Sequence, residues 1–171
     1  MKKLVALVAV VITCLSSGSV LADCDKQQLR KAASSRFVLN NGEAFDKVTK
    51  TTWCRCSAGT TWKEGVGCVG SPKLMRLEEA RNFAKQAGDG WRVPTIKELY
   101  SIVEQECENP VINSIVFPDI RDLGEGAPYW SVTRIEEIPM LVYYIDFISG
   151  RVDGHSQGFA MAVRLVRNQQ K

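Results

Sequence analysis

Histidine is almost missing from this chain: His155 is the single one in 171 residues. That leaves histidine-based activation of a nucleophile with one candidate residue. Ser156 stands beside it, but adjacent residues do not make a triad. No H-E-x-x-H or phosphate-cradling glycine loop occurs either. A large charge excess is also lacking. Lys and Arg number 22 against 19 Asp and Glu, a net charge of +3, so composition calls for no nucleic acid partner. No apolar run reaches the roughly 20 residues of a membrane span, so stable insertion is not expected. Internal repeats and low-complexity stretches are absent from the sequence.

What is there begins with an address. Lys2 and Lys3 precede an apolar run from Leu4 to Cys14, then Ser16–Ser19 and the small-residue end Val20-Leu21-Ala22. This reads as a signal peptide over residues 1–22, cut after Ala22, and places the product in the periplasm or outside the cell. No lipid attachment is expected, because Thr13 precedes Cys14 and Asp23 precedes Cys24, where a small residue is required. Without Lys2 and Lys3 the net charge falls to +1. Five cysteines then remain: Cys24, Cys54, Cys56, Cys68 and Cys107. In an oxidising compartment most should be paired, with one thiol left over. Cys54 and Cys56 are poorly placed to bond each other, since alternate residues of an extended chain point to opposite faces. A metal grouping of Cys54, Cys56, Cys68 and His155 is the competing reading. Export and the lack of C-x-x-C spacing count against it, so neither metal nor cofactor is expected.

Residues 23–36 form a polar lead with room for a short helix. Asn41-Gly42 is a turn signal between two apolar stretches, giving a hairpin that ends at Trp53. The Gly- and Cys-rich segment that follows reads as an irregular loop, with Trp53 and Trp62 packing on the core. Leu77, Ala80, Ala84 and Ala87 recur at helical spacing, and Gly88 and Gly90 end that helix. A second helix starts at Thr95, with Glu98 three residues on as a capping box, and should run to Asn109-Pro110. The rest reads as strands: one around Tyr129-Trp130, one with Leu141, Tyr143, Ile145 and Phe147 on a shared face, and a last one. In the last, Met161, Val163 and Leu165 oppose Ala162, Arg164 and Val166. Helices ahead of a run of strands give an α+β class with a mainly antiparallel sheet.

Several short motifs stand in a fixed order. Asp46-Lys47-Val48-Thr49 leads to Trp53, and Arg55-Cys56-Ser57-Ala58-Gly59 to Trp62 and Cys68-Val69-Gly70. Trp91-Arg92-Val93-Pro94-Thr95 precedes Glu98-Leu99. Ile112-Asn113, Phe117-Pro118, Tyr129-Trp130-Ser131, Ile145-Asp146-Phe147 and Val163-Arg164-Leu165-Val166-Arg167 follow. In this order they resemble the C-terminal domain family of the Legionella collagen-like adhesin, over about Phe37 to Arg167. The resemblance implies a C-type-lectin-like fold: two helices on a mainly antiparallel sheet, long irregular loops and a pinning disulfide, over residues 37–171. It also implies binding, since the named adhesin is associated with sulfated polysaccharides. With it come the pairings Cys56–Cys68 and Cys24–Cys107. Cys54 is the odd thiol, because the family places another residue there.

Trp91-Arg92 directly ahead of a helix raises the question of chemistry. With no base and nucleophile to serve, Arg92 is expected to hold a carboxylate or backbone carbonyls at the helix entry, and Arg164 to do likewise. Trp53, Trp62, Trp91, Arg92, Thr95, Glu98, Trp130 and Arg164 are thus structural. In lectin-like domains ligands meet the loops, here about 119–128, 133–139 and 153–159. Arg121, Arg134, Arg151, His155, Gln157 and Tyr129 (or Tyr144) are the candidate contacts for a sulfate or a sugar face. Asp119, Asp122 and Glu125 cluster in one of those loops without the spacing of a calcium loop. The expected function is a non-catalytic exported module that binds a polysaccharide or another surface component. The alternative is an accessory protein whose loops bind an envelope protein. An enzyme using Cys54 is the third reading, tied to a free thiol of low pKa. Oligomeric state is left open.

Overall fold

The computed structural model describes residues 26–104 and 109–169. The chain runs α1 (Lys26–Arg36), β1 (Phe37–Asn40), β2 (Glu43–Asp46), β3 (Thr51–Cys54), β4 (Thr60–Lys63), β5 (Gly67–Gly70), α2 (Leu77–Ala87) and α3 (Ile96–Ser101). Four strands follow: β6 (Pro128–Arg134), β7 (Leu141–Asp146), β8 (Val152–Ser156) and β9 (Val166–Asn168). Within the sheets, ordered β1-β2-β3-β9, β4-β5 and β6-β7-β8, the strands pair antiparallel. The class is α+β, as the order of elements indicated. The signal peptide and Cys24–Cys107 lie outside the described residues.

α1 is packed into the fold. Leu29 and Ala33 are buried, the Leu29 carbonyl accepts from Asn113 Nδ2 at 3.0 Å, and Arg36 pairs with Asp46 at 2.6 Å. The Asn41-Gly42 turn forms where expected, with Asn41 at φ 49°. Gly42 is required there, since a Cβ would stand 2.9 Å from Trp62 Cβ.

α3 differs in length. Its start is as predicted: Glu98 N donates to Thr95 Oγ1 at 3.3 Å and Thr95 N to Glu98 Oε2 at 2.7 Å. Yet it stops at Ser101 and not near Asn109. Val103 leaves the helix to pair with Ile112, and Glu104 N donates to the Val111 carbonyl at 2.8 Å. A β-bridge to a later segment takes the backbone groups that further turns of helix would have used.

Two apolar clusters lie on opposite faces of β6 and β7. Trp53, Phe117, Tyr129, Ile145 and Phe147 belong to one, and Met75, Leu77, Trp130, Val142 and Val163 to the other. The expected shared face of β7 holds at Ile145 and Phe147, which both enter the first cluster, but it is not the only buried face. Val142 and Ile145 are both fully buried while Leu141 and Tyr143 are half exposed. A strand covered on both sides has no single apolar face. The final segment keeps its predicted alternation: Met161, Val163 and Leu165 enter one cluster, Ala162 and Val166 the other. Only Val166–Asn168 of it forms a ladder.

Candidate functional site

Three arginines anchor the frame. Arg164, wholly buried, donates to Asp119 Oδ1 at 2.6 Å, to Ser57 Oγ at 3.1 Å and to the carbonyls of Cys54 and Arg55. Burial pushes the Asp119 carboxyl up, but the Arg164 charge and the Ser57 N–H outweigh it and hold the group below its usual value. Arg55 donates to the carbonyls of Asn41, Ile115 and Val116, and its guanidinium lies 3.9 Å from the Trp62 ring centroid. Arg92 grips Glu98 through two bonds of 2.8 and 2.6 Å at the mouth of α3, with Asn168 as a third partner. Arg92 of the Trp-Arg pair thus locks the helix entry. Trp53 and Trp130 are core residues. Trp62 and Trp91 are half-buried, and Trp91 lies beneath the Arg167 guanidinium at 4.5 Å.

The expected ligand contacts do not converge. Tyr129 is in the core, 1% exposed, with its hydroxyl 2.6 Å from Ser57 Oγ. Arg121 is exposed and donates to Ser71 Oγ. The Gln157 carbonyl accepts from Leu77 N at the start of α2. Arg134 pairs opposite Val142, whereas the Arg151 carbonyl meets Asp146 N at the far end of β7. The four-residue offset puts them about 14 Å apart along the sheet.

Arg151 and His155 do share a cleft of about 550 Å³. Alternation places Arg151, Asp153 and His155 on one face of β8 and its lead, facing Tyr144 and Asp146 of β7. Asp122, Glu125 and Phe159 close the cleft. Four carboxylates here stand against one guanidinium, the reverse of what an anionic ligand needs. Asp146 is structural: its Oδ1 accepts from the Ala127 and Ile148 amides and its Oδ2 from Ser149. Asp119, grouped with Asp122 and Glu125 in the sequence, is committed to Arg164 and unavailable to a cation. Among the described residues no three His, Cys, Asp or Glu side chains could hold a metal ion. The thiolate grouping is ruled out directly, because Cys56 and Cys68 are joined in a disulfide.

Among the described residues Cys54 is the free thiol. Desolvation pushes its pKa up to about 11, against the opposing pull of Arg164. A thiol so protonated is a poor nucleophile. Alkylation of folded protein with iodoacetamide at pH 7.5 should therefore run at least roughly tenfold slower than for a denatured sample. Equal rates would refute the burial of this thiol.

A basic surface lies elsewhere, on α2. Arg81, Ala84 and Lys85 recur at one-turn spacing and, with Trp91, Arg92 and Val132, line a groove of about 380 Å³ without a carboxylate. Arg92 is occupied by Glu98; among the described residues no carboxylate pairs with Arg81 or Lys85. Sequence reasoning did not single out these two. Only the Gly88–Gly90 turn, with Trp91 N donating to the Gly88 carbonyl, brings an indole beside them.

The fold and its surface thus define a small disulfide-braced α+β domain, with its arginines divided between buried clamps and an open basic groove. The chain belongs to the Lcl C-terminal domain family, whose sequence profile matches residues 42–167, as the ordered motifs indicated. A comparison with curated proteins found no match.

Proposed function

We propose that the protein is an exported, non-catalytic binding module of adhesin type that recognises an anionic polysaccharide through the α2 groove. Its frame is taken as C-type-lectin-like, and its signal peptide as cleaved after Ala22 on the way to the periplasm or beyond. The family's link to a surface adhesin supports the binding class. The observation that carries the site is the set of free cations, Arg81 and Lys85, beside Trp91 with no carboxylate in the groove. Guanidinium and ammonium groups hold sulfate or carboxylate by charge-assisted hydrogen bonds, and an indole face suits the apolar side of a sugar ring. The loop rim first expected to hold the ligand gives way to α2 because its cleft is acidic.

The test uses the mature chain, Asp23 to Lys171, on an array of sulfated and neutral polymers at low and physiological salt. Binding to sulfated polymer should persist at physiological salt and fall at least about tenfold in Arg81→Ala/Lys85→Ala. The triple change of Arg121, Arg134 and Arg151 to Ala should leave it within about threefold. No binding to any polymer would overturn the proposal. It would favour the second reading, an accessory role on an envelope protein, for which the exposed Ile138 and Met140 between β6 and β7 offer an apolar contact.

A further inference from the structure

Trp91 has a second neighbour. Besides the basic groove it lines an apolar slot of about 280 Å³. Trp62, Phe83, Ala87 and Leu165 wall this slot, and Cys54 and Ala58 also line it. Two sides of α2 explain the pair of hollows. Phe83 and Ala87, four residues apart, face the slot, while Arg81, Ala84 and Lys85 face the groove. The small side chain of Ala87 leaves the slot open. None of the slot's lining residues is charged, and none of the groove's is acidic.

We infer that groove and slot together form one bipartite site for an anionic amphiphile: a sulfate or phosphate head on Arg81 and Lys85, and an aliphatic chain past Trp91 into the slot. This rests on the reading of the groove as an anion seat and narrows its ligand to a charged saccharide that carries an acyl or alkyl substituent. A plain polyanion would leave the slot empty, and an uncharged apolar molecule would leave both cations unused. Charge complementarity on one side and apolar lining on the other select a molecule that has both parts. Each methylene buried should contribute roughly fourfold in affinity until the slot is full.

The experiment titrates the mature chain with methyl sulfate, n-octyl sulfate and n-octyl glucoside below their micellar concentrations, followed by tryptophan fluorescence. Octyl sulfate should bind at least about thirtyfold more tightly than methyl sulfate and about tenfold more tightly than octyl glucoside. It should also slow alkylation of Cys54, which lines the slot. Ala87→Trp, at an exposed position, should fill the slot and abolish the advantage of the chain while sparing binding of sulfated polymer. Arg81→Gln/Lys85→Gln should abolish the advantage of the head. Equal affinity for octyl and methyl sulfate, or for octyl sulfate and octyl glucoside, would overturn the bipartite site. If sulfated polymer still bound in a manner sensitive to Arg81 and Lys85, the groove reading would survive that result; if neither polymer nor methyl sulfate bound, both would fall.

Discussion

Asp119→Ala should destabilise the protein by about 3–5 kcal/mol, because it strands the Arg164 charge in the interior without its counter-charge. The Arg164 side chain has no exposure and that of Asp119 has 8%. Asp119 also accepts from the Ser57 amide at 2.6 Å and from the Thr60 hydroxyl at 3.0 Å, so three donors lose a partner together. Urea unfolding of the wild type and the variant measures the effect, and a loss below about 1 kcal/mol would refute the clamp. Arg164→Met in the same background should recover part of the stability, since it removes the stranded charge. The pH dependence has a definite sign. The folded Asp119 carboxyl is held below its usual value, so its contribution is present above the unfolded pKa of about 3.9. It is lost as pH falls through the lower folded value. The gap between wild type and Asp119→Ala should therefore be constant at neutral pH and narrow in that acid window.

Trp130→Ala should cost a similar amount, about 3–5 kcal/mol. Trp130 has no exposed surface, sits at the start of β6 and fills the second cluster. Its Nε1 donates to the Met75 carbonyl at 2.8 Å. That carbonyl also accepts from Met161 N at 3.0 Å, and Met75 N donates back to the Met161 carbonyl at 2.9 Å. The indole thus ties the segment leading into α2 to the last segment of the chain. Trp130→Phe keeps most of the volume and should cost only about 1–2 kcal/mol. Trp62→Ala is the contrast: its ring is half-buried and belongs to neither cluster, so a loss under about 2 kcal/mol is expected. Chemical denaturation of the three variants orders them. A Trp62 effect as large as that of Trp130 would mean that the disulfide loop belongs to the core.

Local chemistry was legible where one short stretch of chain decides. The Asn41-Gly42 turn, the Thr95 and Glu98 capping box and the Gly88 stop all depend on residues within a few positions of each other. Each forms as expected. The alternation of Met161 to Val166 was legible for the same reason, since the direction of a side chain follows from the extended backbone alone. Arg92 and Arg164 were recognisable as clamps because a guanidinium in the company of apolar residues has few other uses. The partner of Arg92 lies six residues away and could be guessed. The partner of Arg164 lies 45 residues away, and Asp119 was grouped with Asp122 and Glu125 because their nearness in sequence was all that showed.

The sequence by itself determined the α+β class, the family, the helix caps and the clamp roles of Arg92 and Arg164. These follow from local propensity, periodicity and a run of ordered motifs. Tertiary structure alone decided where α3 ends, that Tyr129 is buried, that Arg121, Arg134 and Arg151 stand apart, and that Trp91 meets Arg81 and Lys85. Each of these depends on which distant segments share a surface, and the sign of a cleft's charge depends on every segment that lines it. Proximity in the chain fixes geometry over one turn or one hairpin. Beyond that range, packing chooses the neighbours.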